Sequence, residues 1–183
     1  MLKIALLLVT FVIIAFVIIV LFQPAHFTVS RNAEISAPVS VVFAQVNDFH
    51  RWQNWNPWGK LDPLVKQTYE GQPAGTGAIY RWTGNREVGQ GRMTITESVP
   101  GELIRLQLEF FKPFRATNTA KFSFRPEGAR TAVTWSMFGE KNFVAKALHL
   151  FINMDKMIGG QFEKGLTSLK AAAEAAANQG RQL

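Results

Sequence analysis

The chain has 183 residues, 48% of them hydrophobic, with 20 basic against 13 acidic side chains, a formal net charge of +7 and no cysteine. That length holds one ordinary domain with an appendage, and the apolar share supplies a sizeable core and excludes disorder. The lack of cysteine excludes disulfides, thiol nucleophiles and thiolate metal sites without fixing a compartment, and the cations are too scattered for a nucleic-acid arm.

The first element is MLKIALLLVTFVIIAFVIIVLFQPAH. After Lys3 the segment runs without a charge from Ile4 to Phe22, with Thr10 its one polar side chain. At about 1.5 Å per residue, a helix of this length just crosses a hydrocarbon core about 30 Å thick. A cleaved signal peptide is the competing reading, but its apolar region would be shorter and end in an A-x-A-like site. Gln23-Pro24-Ala25 offers Gln where the first small residue belongs, which favours an uncleaved single-pass anchor over residues 1–26. Lys3 before the segment and Arg31 after it nearly balance, so charge does not orient it. The very short N-terminal tail most simply stays in the cytoplasm, which puts the domain on the periplasmic side of a bacterial inner membrane. Attraction of the basic domain to anionic headgroups fits such a tether.

A domain over residues 27–179 follows, with 180–183 as a tail. In FTVSRNAEIS, Phe27, Val29, Ala33 and Ile35 share one face at period two, the mark of a half-buried strand. Pro38 then opens a short helix with Val41, Val42, Ala44 and Val46 near helical spacing. NDFHRWQNWNPW carries Trp52, Trp55 and Trp58 three residues apart, reading as a second short helix capped by Asn47 or Asp48. Six strand patterns succeed it, at 64–71, 77–84, 91–98, 103–110, 117–124 and 131–138. Each sets one apolar face against one polar face, as an antiparallel sheet covered on one side requires. Residues 143–179 are helical in composition, and Gly159-Gly160 predicts a break or bend. Phe162, Leu166, Leu169 and Ala173 form the apolar stripe of the second half. Gly165 interrupts that stripe at a cost of about 1 kcal/mol against Ala, which implies close approach to the sheet or to a ligand. The fold class is α+β: a curved antiparallel sheet of about seven strands, in the order β-α-α-β6-α, gripping a long C-terminal helix and preceded by one transmembrane helix.

Two stretches carry a family likeness. Ile35-x-Ala37-Pro38, Val42-Phe43 and Val46-x-Asp48-Phe49-x-x-Trp52-x-x-Trp55-x-Pro57-Trp58 form the first. Met154-Asp155-Lys156-Met157, Phe162-Glu163-Lys164-Gly165-Leu166 and Leu169-Lys170 form the second. Together they resemble the SRPBCC superfamily of START-like helix-grip proteins, in particular its polyketide cyclase/dehydrase-like branch, over residues 27–176. The resemblance is specific for fold and implies a cavity, between the concave sheet face and the long helix, that holds a hydrophobic ligand. It does not assign a reaction, because the same frame serves carriers, binders and cyclases.

Strand alternation independently turns Tyr80, Trp82, Met93, Leu106, Leu108, Phe122, Trp135 and Met137 inward. With Trp55 and Trp58 at the mouth and Phe162 and Leu166 on the helix, these are the expected ligand-binding residues. An aromatic wall with a few polar tips suits a sterol, quinone, fatty acid or aromatic polyketide. Trp52 reads as mainly structural and Trp58 as the better mouth candidate. His26, His50 and His149 form no metal-ligand pattern with a carboxylate, so no metal or other cofactor is expected. Arg81 and Arg92 fall on the outward face, and Tyr80 is the one titratable inward group, with Tyr69 a weaker second. That poverty favours binding of a hydrophobic small molecule or lipid over catalysis, and no catalytic residue is assigned. The alternatives are a cyclase, dehydratase or hydrolase using Tyr80 or Asp48, and a regulatory domain that contacts another membrane protein. EFFKPF, with Phe111 on the polar face and Phe114 in the turn, is too apolar for an ordinary hairpin. It reads either as a loop folded onto its own domain or as one that dips into the membrane interface or gates the cavity, with Lys112 and Arg115 beside it for headgroups.

Overall fold

This computed structural model describes residues 2–180. An apolar helix α1 (Leu2–Leu21) precedes β1 (His26–Ile35) and α2 (Val39–Asn47). Two short 3-10 turns, Phe49–Asn54 and Pro57–Lys60, lead into six strands: β2 (Lys66–Gly71), β3 (Ala78–Thr83), β4 (Gln90–Val99), β5 (Leu103–Lys112), β6 (Ala116–Glu127) and β7 (Arg130–Glu140). The chain closes with α3 (Phe143–His149) and α4 (Met154–Gln179). All neighbours pair antiparallel in one seven-stranded sheet of order β1-β7-β6-β5-β4-β3-β2. Successive hairpins generate β2 to β7, and β1 adds beside β7. The helix-grip arrangement expected from the sequence is present, with α4 lying across β1 and against α2.

The inward alternation is visible in burial. Along β7 the inward Thr131, Val133, Trp135 and Met137 are buried, while Ala132, Thr134 and Ser136 between them are half-exposed. The outward face is tied by cross-strand ion pairs: Arg81 to Glu70 at 2.8 Å, and Arg92 to Glu109.

Two helical expectations are corrected. Residues 143–179 form two helices, because Asn142 and Asn153 each start a helix by accepting a backbone N–H, from Ala145 at 2.8 Å and Lys156 at 2.9 Å. Helix α4 runs unbroken through Gly159-Gly160. A Cβ on Gly159 would collide with the guanidinium of Arg31, so the glycine is a passage for that side chain and marks no bend. The predicted tail is only partly described: Gly180 closes α4, and 181–183 lie outside the described residues.

Arg31 stands on β1 and reaches across α4. Its Nε donates to Glu163 at 2.6 Å, and Nη1 and Nη2 each donate to Asp155 at 3.0 Å. This clamp holds the start of α4 against the edge strand. The hydrogen bond from Arg31, aided by its charge, holds the Asp155 carboxyl below its ordinary range. A depressed carboxylate pKa stabilises the fold above the ordinary value and loses that contribution as pH falls through the folded one. Thermal unfolding of the wild type should therefore weaken more steeply than that of Asp155→Asn between about pH 5 and pH 3, with the two converging at the acid end. Parallel curves would show that the clamp contributes nothing.

Candidate functional site

The concave face of the sheet is filled at one end and hollow at the other. At the filled end Ile95, Ile104, Phe122, Phe124 and Val133 are buried with Val42, Phe43 and Val46 of α2. The tryptophan turn closes this end. Asp48 starts it by accepting from His50 N at 2.8 Å. In a 3-10 turn residues three apart eclipse one another, so Trp52 and Trp55 lie together, ring centres 4.5 Å apart. Their indole nitrogens donate to Val46 O at 2.9 Å and Gln45 O at 3.1 Å, fastening the turn to α2. Trp55 is wholly buried and meets Phe122 and Trp135 edge-on.

Beyond that packed end lies a cavity of about 890 Å³ between sheet, α3 and α4. Tyr80 and Trp82 of β3, Met93 of β4, Leu108 of β5, and Trp135 and Met137 of β7 line it from the sheet. Trp58 and Phe162 line it from the second 3-10 turn and from α4. Eight of the twelve expected residues are therefore brought together around one hollow. The other four, Trp55, Leu106, Phe122 and Leu166, are not in its wall. They are buried at 0%, 0%, 0% and 2% exposure, on the side where α2 and the tryptophan turn fill the face. Alternation reports which face a side chain takes but not how far along the strand the filling extends. Trp52, expected to be structural, both fastens the turn and borders the cavity.

Trp135 forms the floor where solid core gives way to hollow. Its ring stacks on Phe162 at 4.1 Å and on Phe122 at 4.8 Å. Gly165 permits this, since a Cβ there would sit 2.7 Å from Trp135 Cζ3 and 3.1 Å from Pro57 Cδ. The close approach inferred from the glycine is thus to the sheet.

Polar groups gather at the mouth: Arg115, Thr117 and Asn118 at the start of β6, and Glu140, Lys141, Asn142 and His149 around α3. His149 was not expected here, because the sequence read as one long helix; the break at 150–153 frees α3 to fold over the opening. The imidazole packs edge-on to Phe27 at 6.0 Å. Burial, then the charge of Lys141, pushes its pKa below the usual value, so it stands neutral at physiological pH. Deeper in, burial and then Tyr69 push the Tyr80 hydroxyl up to about 12, which keeps it an O–H donor. Asp48 is a helix cap beside His50 and Arg51 and does not line the cavity. Among the described residues no group of three His, Asp or Glu side chains could hold a metal.

The mouth is also apolar on its outside. Val144, Leu148 and Ile152 line the cavity and are exposed as well. Phe114 and Phe151 beside them are exposed at 72% and 79%. Helix α1 packs against α3, with Phe16 stacked on Phe151 at 6.5 Å and Lys146 Nζ donating to Leu21 O at 3.4 Å. Apart from Val20 and the half-buried Ala15, α1 is exposed along its length, including Ile4. It is the one described helix long and apolar enough to cross a membrane, a property signal sequences share.

Comparison with solved structures returns the same architecture. A protein from Chromobacterium violaceum, CV1439, superposes with a TM-score of 0.59 at 16% identity, over 80% of this chain and 96% of that one. The Aha1 dimer from Colwellia psychrerythraea gives 0.59 at 13% identity, over 81% and 96%. The di-domain ARO/CYC StfQ from the steffimycin biosynthetic pathway gives 0.60 at 12%, over 84% of this chain and 52% of that one. At these identities the likeness is one of fold. No curated protein matches the sequence. The family described as polyketide cyclase/dehydrase and lipid transport matches residues 26–174. That match begins with the first residue of β1 and runs far into α4, taking in every strand and both helices that enclose the hollow, and the chain belongs to this family.

Proposed function

We propose that this protein is a membrane-tethered carrier that takes a hydrophobic small molecule or lipid from the bilayer, or delivers one to it. The observation that carries the reading is the hollow itself, whose volume falls within the range of about 300–1,000 Å³ typical of ligand sites and whose wall is mainly aromatic and aliphatic. Helix α1 supplies the tether as a single-pass anchor, with the domain on the periplasmic side of a bacterial inner membrane. The four residues between α1 and β1 reach at most about 14 Å, which keeps the domain on the bilayer surface. Helix α3 then roofs the cavity on the side packed against α1, and its exposed apolar residues suit the interface between headgroup and acyl chain. In this reading ligand enters beneath α3, and the eight lining residues named from the sequence contact it.

Native mass spectrometry of the protein released from its own host membrane tests the proposal. A bound apolar molecule is the expected result, and retention should survive His149→Gln. A protein that never carries a lipid and takes up no apolar probe would count against it. The interfacial role of the mouth has its own test. With residues 1–26 removed, Phe111→Ser with Phe114→Ser should weaken binding to anionic vesicles by about a hundredfold, since withdrawing two phenylalanine side chains from the interface at about 1.5 kcal/mol each removes about 3 kcal/mol. Unchanged partitioning would retire that role.

A second reading, an enzyme of the cyclase or dehydratase type, is favoured by one observation: a neutral imidazole, His149, stands in the cavity wall with Glu140. General acid–base chemistry needs such a group within reach of substrate. Tyr80 supplies a neutral hydroxyl elsewhere in the same wall, whereas Asp48 stands outside the cavity.

A further inference from the structure

In a largely apolar hollow, the few polar groups that face it decide which ligand is held and which way round. Two such groups stand at the open end of the sheet. Asn118 of β6 lies between Leu108 and Gly139 in register, on the face that carries the buried Ala120 and Phe122. A Cβ on Gly139 would collide with the Asn118 carboxamide oxygen, so the glycine leaves the bay in which that amide sits. Lys141 continues the inward alternation of Met137 and Gly139. Its N–H donates to Ala25 O at 2.7 Å, which carries the pairing of β1 with β7 one step past Glu140. Both side chains are half-buried and both line the cavity. Lys141 is two residues beyond the partner of Asn118, the diagonal spacing of about 7–8 Å at which two strands can hold one small group between them. After burial, the charge of Lys141 is the cause that lowers the pKa of His149, so that charge is felt inside the mouth.

Neither group is engaged within the chain. Among the described residues no ion pair takes up Lys141, Arg115 or Glu140, although the outward-facing Arg81, Arg92 and Arg105 are all paired. No hydrogen bond among them engages the Asn118 amide. Of the charges at the mouth, Arg115 and Lys141 stand against Glu140, which leaves an excess of one positive charge beside a neutral His149.

We infer that Lys141 and Asn118 form a head-group subsite at the mouth, and that the ligand is a single-chain amphiphile ending in a carboxylate. This rests on the carrier reading and names its ligand class. One carboxylate oxygen accepts from the Lys141 ammonium in a charge-assisted hydrogen bond, about twice as strong as a neutral one. The other accepts from the Asn118 amide. A wholly apolar ligand would exclude water from the ammonium without replacing it, which is unfavourable. Glu140 opposes a second negative charge, so a monoanion is preferred to a phosphate dianion. The tail then runs inward past Leu108 and Met137 toward the aromatic floor, and Arg115 at the rim draws the anion to the opening.

The test uses the full chain with labelled methionine methyls in nonionic micelles at about pH 8.5, where a carboxylic acid is ionised. It is titrated with a long-chain fatty acid, the alcohol of equal length and the alkyl phosphate of equal length. Met93 and Met137 line the cavity, so their methyl signals report occupancy by any of the three. The readout is the ratio of wild-type to variant affinity for each probe, in which partitioning into the micelle cancels. Lys141→Met keeps the aliphatic stem and should weaken the fatty acid by about tenfold and the alcohol by no more than about twofold, whereas Lys141→Arg restores most of the loss. Asn118→Leu, of similar size, should weaken the fatty acid by about fivefold. Unchanged fatty-acid affinity in Lys141→Met or Asn118→Leu overturns the inference and leaves the carrier reading standing. Equal weakening of acid and alcohol overturns it too, as a packing role only. A larger loss for the alkyl phosphate than for the fatty acid in Lys141→Met overturns the carboxylate assignment. Should no probe reach the methyls, the carrier reading and the inference fall together.

Discussion

Trp55→Ala is expected to destabilise the domain by about 3–5 kcal/mol, the range for truncating a buried aromatic to Ala. Among the described residues no side chain is larger and so fully enclosed: Trp55 is at 0% exposure, against Trp52, Phe122 and Trp135. Its removal deletes the wedge between the tryptophan turn and the sheet, and leaves Gln45 O without its indole donor. Unfolding should move down by about 10 °C or more in a chain of this size. Trp58→Ala makes the informative comparison, because Trp58 is half-buried and faces the hollow. Its cost should be about half as great. Equal losses at the two positions would mean that the turn is packed uniformly and that the division of the concave face into filled and hollow ends is wrong.

Ala120→Phe is expected to abolish ligand uptake while leaving the fold nearly as stable as before. Ala120 is a buried residue of β6 in the cavity wall, between Leu106 and Met137 in register. Enlarging a side chain in a close-packed core costs about 1–3 kcal/mol, since neighbours are forced off their rotamers. Here the added ring has empty volume to enter, so thermal unfolding should shift by no more than about 4 °C, while affinity for an apolar probe falls at least about tenfold. Calorimetry and probe titration on the same sample decide it. A large loss of stability would mean that the interior is already full, and a scaffold without a carrier function would remain.

Much of this architecture is legible in the residues because it follows from short-range periodicity. A strand shows its faces at every second residue, and β1 and β4–β7 alternate over ten to twelve positions, so their existence, order and inward sets can be read directly. The anchor-like helix is legible for the same reason, as an unbroken apolar run. Helix termini are less so. Asn153 capping α4 differs locally little from any other Asn, and the composition of 143–179 is helical on both sides of it.

The site is legible as a face but not as a volume. Leu106 and Leu108 are two residues apart on one face of one strand, yet the first is sealed in core and the second lines the cavity. What separates them is α2 and the tryptophan turn covering one end of the sheet, through contacts such as Phe43 with Phe124 and Trp52 with Phe122 between segments some seventy to eighty residues apart along the chain. In the sequence Arg31 is only a charge following the apolar segment, because its partners Asp155 and Glu163 lie more than a hundred residues away. His149 joined the mouth only once α3 folded back over the opening.

Local spacing along the chain is enough to specify the seven-strand helix-grip frame, the apolar N-terminal helix and which side chains turn inward. Where the interior is solid and where it is empty, that Gly159 and Gly165 make room for Arg31 and Trp135, and that the buried Trp135 indole N–H is left without an acceptor emerge only when the chain has folded. Those properties depend on which distant surfaces meet and how closely, and close packing leaves no trace in the order of residues along one strand.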